Sequence, residues 1–93
     1  MATKKTKTYN FGKALEALKS GKTVRRQGWN GVGIFLALQV PDAKSKMTQP
    51  YIYIDTLALQ TTNPKAPKGR VPWQPSQTDM LAEDWEIITL RSI

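Results

Sequence analysis

The chain has 93 residues, no cysteine, no histidine and a formal net charge of +7. At this length one domain is expected, burying about two-thirds of its unfolded surface in a thin core. Without Cys or His there is no disulfide, thiolate nucleophile, His-based acid–base pair or usual zinc site. The charge is unevenly placed. Lys4, Lys5, Lys7, Lys13, Lys19, Lys22, Arg25 and Arg26 face only Glu16 within residues 1–26, and the rest of the chain is balanced. That distribution excludes a uniformly basic nucleic-acid coat and leaves a basic arm or edge on a neutral body.

Residues 1–9 read as a disordered basic tail ahead of a single domain over 10–93. The opening MATKKTKTY carries charge with no apolar stretch behind it, and no run approaches the roughly 18–20 apolar residues of a membrane span. The expected location is cytoplasmic, away from membranes. Asn10 is a good N-cap, Phe11, Ala14, Leu15 and Leu18 follow at helical spacing, and Gly21 is a natural stop. A short amphipathic helix over 11–20 follows, with Lys13, Glu16 and Lys19 toward water.

Residues 23–27 read as a strand, and Gly28-Trp29-Asn30-Gly31 as a tight turn on the Asn-Gly signal. A second strand covers 33–40. On it Ile34, Leu36, Leu38 and Val40 face the helix, and Phe35, Ala37 and Gln39 face the other way. A loop over 41–49 leads to a strand in 50–59, where Ile52 and Ile54 alternate with Tyr51, Tyr53 and Asp55. Aliphatic residues on one face and aromatic or polar ones on the other predict a sheet used on both sides. Residues 60–69 form an exposed turn-rich segment, and 70–73 a short extended piece held out of helix by Pro72 and Pro75. Ser76 caps a helical turn over 77–82 with Asp79 as the capping-box carboxylate. Residues 84–90 form the last strand. The fold class is α+β: a small domain whose antiparallel sheet packs against a short N-terminal helix, with a second short helix near the C-terminus.

No catalytic kit is visible. Asp79, Glu83, Asp84 and Glu86 form the best carboxylate cluster, which reads as capping and acidic surface rather than an acid–base pair. No Walker-type loop is present, and Gly28, Gly31 and Gly33 have the wrong order for a dinucleotide fingerprint. The expectations are no enzyme, no metal and no cofactor. The stronger signal is aromatic. Trp29 stands in a turn flanked by Arg26, Gln27 and Asn30. Trp73 lies between prolines and precedes Ser76, Gln77, Thr78 and Asp79. Flat rings stack on nucleobases, amides and carboxylates read base and ribose edges, and guanidinium groups hold phosphates. The alternative is that both rings cap the ends of a small core, the role expected of Trp85.

The stretches NFGKALEALKSGKTVRRQGWNGVGIFLAL (10–38) and VPWQPSQTDMLAEDWEI (71–87) resemble the Thoeris anti-defence two family, above all in GWNG and SQTDMLAEDWE. Together they cover about half the chain. The departures are an N-terminal extension before Asn10 and a stretched Pro–aromatic–Ile–Asp element at 50–55. The resemblance implies a phage-type sponge that binds cyclic ADP-ribose isomers made by TIR-domain sensors, and in some members cyclic dinucleotides, without cleaving them. It also implies a homotetramer with pockets between subunits. Under that implication Trp29 and Trp73 wall the adenine, with Phe35 from a neighbouring strand. Asn30, Ser76, Gln77 and Asp79 bond base and ribose, and Arg25 or Arg26 neutralises the diphosphate. Two other readings stand beside it: a basic nucleic-acid-binding module, against which the neutral body weighs, and a phage structural or assembly module.

Overall fold

The computed structural model describes residues 7–29, 33–66 and 68–88. Asn30, Gly31, the first part of the tail and the end of the last strand lie outside them. The elements are α1 (Phe11–Lys19), β1 (Thr23–Arg26), β2 (Phe35–Gln39), β3 (Tyr51–Asp55), β4 (Arg70–Pro72), α2 (Gln77–Leu81) and β5 (Trp85–Ile88). The strands form one antiparallel sheet in the order β4-β3-β2-β1-β5. This is the expected α+β domain.

Both ends of α1 are closed by local chemistry. The Lys13 amide donates to Asn10 Oδ1 at 2.9 Å, satisfying one orphan donor of the first turn. At the other end Gly21 takes φ +93, its amide bonds the Leu18 carbonyl at 3.1 Å, and the Lys22 amide bonds the Ala17 carbonyl at 3.0 Å. That pair of bonds is a Schellman stop, which the left-handed glycine permits. Ala14, Ala17 and Leu18 of α1 bury themselves on Val24, Leu36 and Trp85 of the sheet. Leu38, Ile52, Ile54 and Ile87 extend the same layer. The opposite face of the sheet carries no helix among the described residues.

The turn expected over 28–31 falls partly outside the described residues. The observed partner of Val24 is Leu36, which puts Leu36 and Leu38 under the helix, the face expected for them. A one-residue slip would exchange the two faces, so the apolar set selects the register. The strand expected over 50–59 ends at Asp55, whose Oδ1 accepts the Leu57 amide at 2.9 Å. That side-chain turn, followed by the Leu59 amide on the Thr56 carbonyl, diverts the backbone from the ladder. The strand predicted for 33–40 narrows to β2, and Val40 is exposed.

The tail boundary also moves. Tyr9 exchanges two backbone bonds with Trp85, at 2.8 and 3.0 Å, along the outer edge of β5. The Lys7 ammonium lies 5.7 Å from the Tyr9 ring centroid. The packed body therefore includes Tyr9, one residue earlier than its N-cap signal suggested. The capping box predicted at α2 is complete: the Asp79 amide donates to Ser76 Oγ at 3.0 Å, and the Ser76 amide donates to Asp79 Oδ2 at 3.2 Å.

Among the described residues, Gly21 and Gly33 hold left-handed backbone in different surroundings. Gly33 has φ +96, and a Cβ there would run into the backbone carbonyl of Ala58. Gly21 has φ +93 with nothing within 4 Å of a Cβ. Gly21→Ala is expected to cost about 1–2 kcal/mol from backbone strain, and Gly33→Ala about 1–2 kcal/mol more, because the 56–59 turn must also move. Urea denaturation of both variants checks this, and equal losses would refute the close approach.

Candidate functional site

The buried Trp85 ring joins the two tryptophans singled out by the sequence. Trp29 packs edge-on against it at 5.5 Å between centroids and Trp73 does so at 5.9 Å, with interplanar angles of 77° and 85°. Phe11 completes the group, 5.4 Å from Trp85 and 6.0 Å from Trp73. Trp29 and Trp73 are both half-buried. Each ring fixes one edge on Trp85, so a rigid aromatic surface can be offered without a flexible side chain to order.

A network of charge ties the Trp29 turn to α2. Arg26 Nε lies 2.8 Å from Asp84 Oδ1, and Nη1 lies 3.0 Å from Asp79 Oδ1. The Gly28 amide donates to Asp84 Oδ2 at 2.9 Å, and the Trp29 indole N–H makes a long bond of 3.4 Å to Asp79 Oδ1. Burial would raise the Asp79 carboxyl, but Arg26, both Ser76 donors and the Trp29 indole outweigh it and hold it below the usual carboxylate range. The Arg26 guanidinium, helped by the Gly28 amide, holds Asp84 low against its own desolvation. In return Asp84, and then Asp79, raise Arg26.

The nine expected site residues divide by face. Trp29, Trp73, Ser76, Gln77, Asp79 and Arg26 lie at the helix-bearing side. Arg25 turns to the bare face, where its Nε donates to Glu86 Oε1 at 2.9 Å, and Phe35 stands there too. Asn30 lies outside the described residues. Arg26 is only 17% exposed and committed to two carboxylates, so its geometry suits holding Trp29 in place better than meeting a phosphate.

Among the described residues, Trp73 also opens on an apolar groove of about 680 Å³ between α1 and β3. Phe11, Leu15 and Lys19 of α1 line it, with Leu38, Tyr51 and Ile52 from the sheet. Lys19 and Tyr51 were not expected at a site. Lys19 is exposed, as expected, and also lines the groove; Phe11, Leu15 and Lys19 recur every four residues, and that stripe was the available signal. Among the described residues no Asp/Glu group could hold a metal ion, and no helix is long and apolar enough to cross a membrane.

A family model for the Thoeris anti-defense 2-like domain matches residues 9–88, beginning at the Tyr9 that pairs with Trp85. The chain belongs to that family. A similar relative, Thoeris anti-defense 2 of Bacillus phage SP01, is 39% identical over 89 residues, which cover 86% of this chain and 94% of the relative. The two stretches that carried the resemblance supply the Thoeris anti-defense 2-like domain with its helix cap, its Arg26 clamp and its tryptophan cluster.

The clamp sets an acid dependence. Asp79 and Asp84 are both depressed in the folded state. Their contribution is therefore complete above the unfolded carboxylate value of about 3.9 and is lost as pH falls through the lower folded values. The melting temperature is expected to be flat from about pH 8 to 5 and to fall below about 4. Arg26→Gln should lower stability at pH 7 by about 2–3 kcal/mol, the cost of leaving partly buried carboxylates unpaired, and should shrink the acid-dependent drop. Thermal melts across pH read both. A parallel shift at every pH would show that Arg26 is not what lowers these carboxylates.

Proposed function

We propose that the protein inhibits Thoeris-type antiphage defence by binding a cyclic ADP-ribose-type signal and holding it without cleavage, so that the effector is not activated. Family membership and the name of the phage relative support the inhibition. The observation that carries the binding step is the groove beside Trp73. Its volume of about 680 Å³ falls within the range of small-molecule sites, and Trp73 and Lys19 both line it. Adenine stacks on Trp73, for about 1–3 kcal/mol. Lys19 meets the diphosphate, and Ser76 and Gln77 bond base or ribose edges. Trp29, held by Asp79 and Arg26, walls the far side of the cluster.

The groove is open in one protomer. A sponge must release slowly, with a dissociation constant well below the signalling concentration, about −12 kcal/mol for a nanomolar complex. Closure by neighbouring copies in a homotetramer supplies the missing walls. Cyclic dinucleotides are the second ligand class for the same stacking chemistry. The protein acts in the cytoplasm, where the signal is made.

The test is to mix protein and cyclic ADP-ribose isomers, filter, and heat the retained protein. Intact signal recovered after heating supports sequestration. Degraded product would make the protein an enzyme, and signal in the first filtrate would exclude the ligand. Trp73→Ala should weaken binding by about 5–150-fold, the loss of one stacked base, as read by isothermal titration. An unchanged affinity would remove Trp73 from the site.

A further inference from the structure

We propose a second binding site on the bare face of the sheet, for a single planar aromatic ring system carrying one anionic group. A cavity of about 370 Å³ opens there, separated from the Trp73 groove by the thickness of the sheet. Phe35 and Tyr53 are its rings, on adjacent strands and one step apart in register, since Phe35 pairs with Asp55 and Tyr53 with Ala37. Between them lie the Ala37 methyl on β2 and the Asp55 carboxylate on β3, with Thr23 on the next strand. The short Ala37 and Thr23 side chains flanked by two large rings leave a slot, with the Asp55–Arg70 pair at one end. The volume lies at the small end of ligand pockets, suited to one ring system and not to two nucleosides.

The slot is built before any ligand arrives. Leu57 and Ala58 form one rim, and Gly33 lets the Ala58 carbonyl lie against the backbone that leads into β2. Thr56 locks the same turn to β4: its amide and hydroxyl donate to the Gly69 carbonyl at 2.9 and 3.1 Å, and its hydroxyl oxygen accepts the Gly69 amide at 2.9 Å. Arg70 supplies the charge. Its Nε donates to Asp55 Oδ2 at 2.8 Å, its side chain is 61% exposed, and its terminal nitrogens make no hydrogen bond among the described residues. Asp55 is buried, and each of its oxygens already accepts a bond, from the Leu57 amide and from Arg70. The carboxylate therefore aims the guanidinium while the terminal N–H groups stay available for an anion at the rim. Asp55 also offsets much of the local positive charge, which keeps the preference for anions modest.

Indole-3-acetate and tryptamine share a ring and differ in charge, and amide-resolved NMR titration of the full-length protein reads where each binds. Indole-3-acetate is expected to shift the amides of Ala37, Tyr53 and Leu57, and to bind up to about fivefold more tightly than tryptamine, the ceiling of an exposed ion pair. Arg70→Gln should equalise the two probes. Ala37→Met should fill the slot and abolish both sets of shifts while the melting temperature stays within a few degrees. If that variant fails to fold, the comparison of the two probes on the wild-type protein carries the test alone. Shifts confined to Leu15 and Trp73, or equal affinities for the two probes in the wild type, would overturn the proposal. A change in sedimentation on Ala37→Met would overturn it as well, by assigning the slot to contact between copies of the chain.

Discussion

The Trp85 ring is fully buried and touches nearly every part of the domain at once. Its backbone bonds Tyr9 on one side, and its register partner on the other is Arg26. Its indole N–H donates to the Asp79 carbonyl of α2 at 3.0 Å, and its ring faces carry Phe11, Trp29 and Trp73. A thin core in a chain this short has few residues that can join a helix, a sheet and a one-turn helix. One large ring with a polar handle does so because its area binds the apolar elements while its single donor fixes the orientation. The partial exposure of Trp29 and Trp73 depends on this node, since each would collapse or swing without the edge contact it makes there.

Charge in the folded chain is organised by pairing across strands. Arg25 meets Glu86, Arg26 meets Asp79 and Asp84, and Arg70 meets Asp55. The two most buried carboxylates, Asp55 and Glu86, each have a guanidinium partner, and among the described residues no buried side-chain polar atom lacks a hydrogen bond. Planar guanidinium suits this use, since it can hold one or two carboxylates at fixed angles. The consequence for function is that the arginines of β1 serve the architecture first. The lysines of α1 carry the basic character outward, Lys13 in a weak surface pair with Glu16, and Lys19 brings it to the Trp73 groove.

The sheet therefore separates two chemistries. Its helix-bearing face holds the tryptophan cluster and the groove. Its bare face holds Phe35, Tyr53 and the Asp55–Arg70 pair around a smaller cavity. Alternation along β2 produces the separation, with Leu36 and Leu38 on the first face and Phe35 and Ala37 on the second.

Much of this was legible in the residues themselves. Asn10 and Gly21 bound α1, Ser76 and Asp79 build their capping box, and the alternation in β2 and β3 assigns faces, because each of these signals acts within a few residues of chain. The family, too, was readable from GWNG and SQTDMLAEDWE. The partners of Arg25 and Arg26 were not, since Glu86, Asp79 and Asp84 lie more than fifty residues away and only the pairing of β1 with β5 brings them near. Nor was the partner of Val24 on β2, which the burial of Leu36 and Leu38 settles. Sequence alone determined the elements, their faces and the aromatic supply. Tertiary structure decided which cations were already spent and which rings shared a surface, because both depend on strand order, and strand order is settled by the whole core at once.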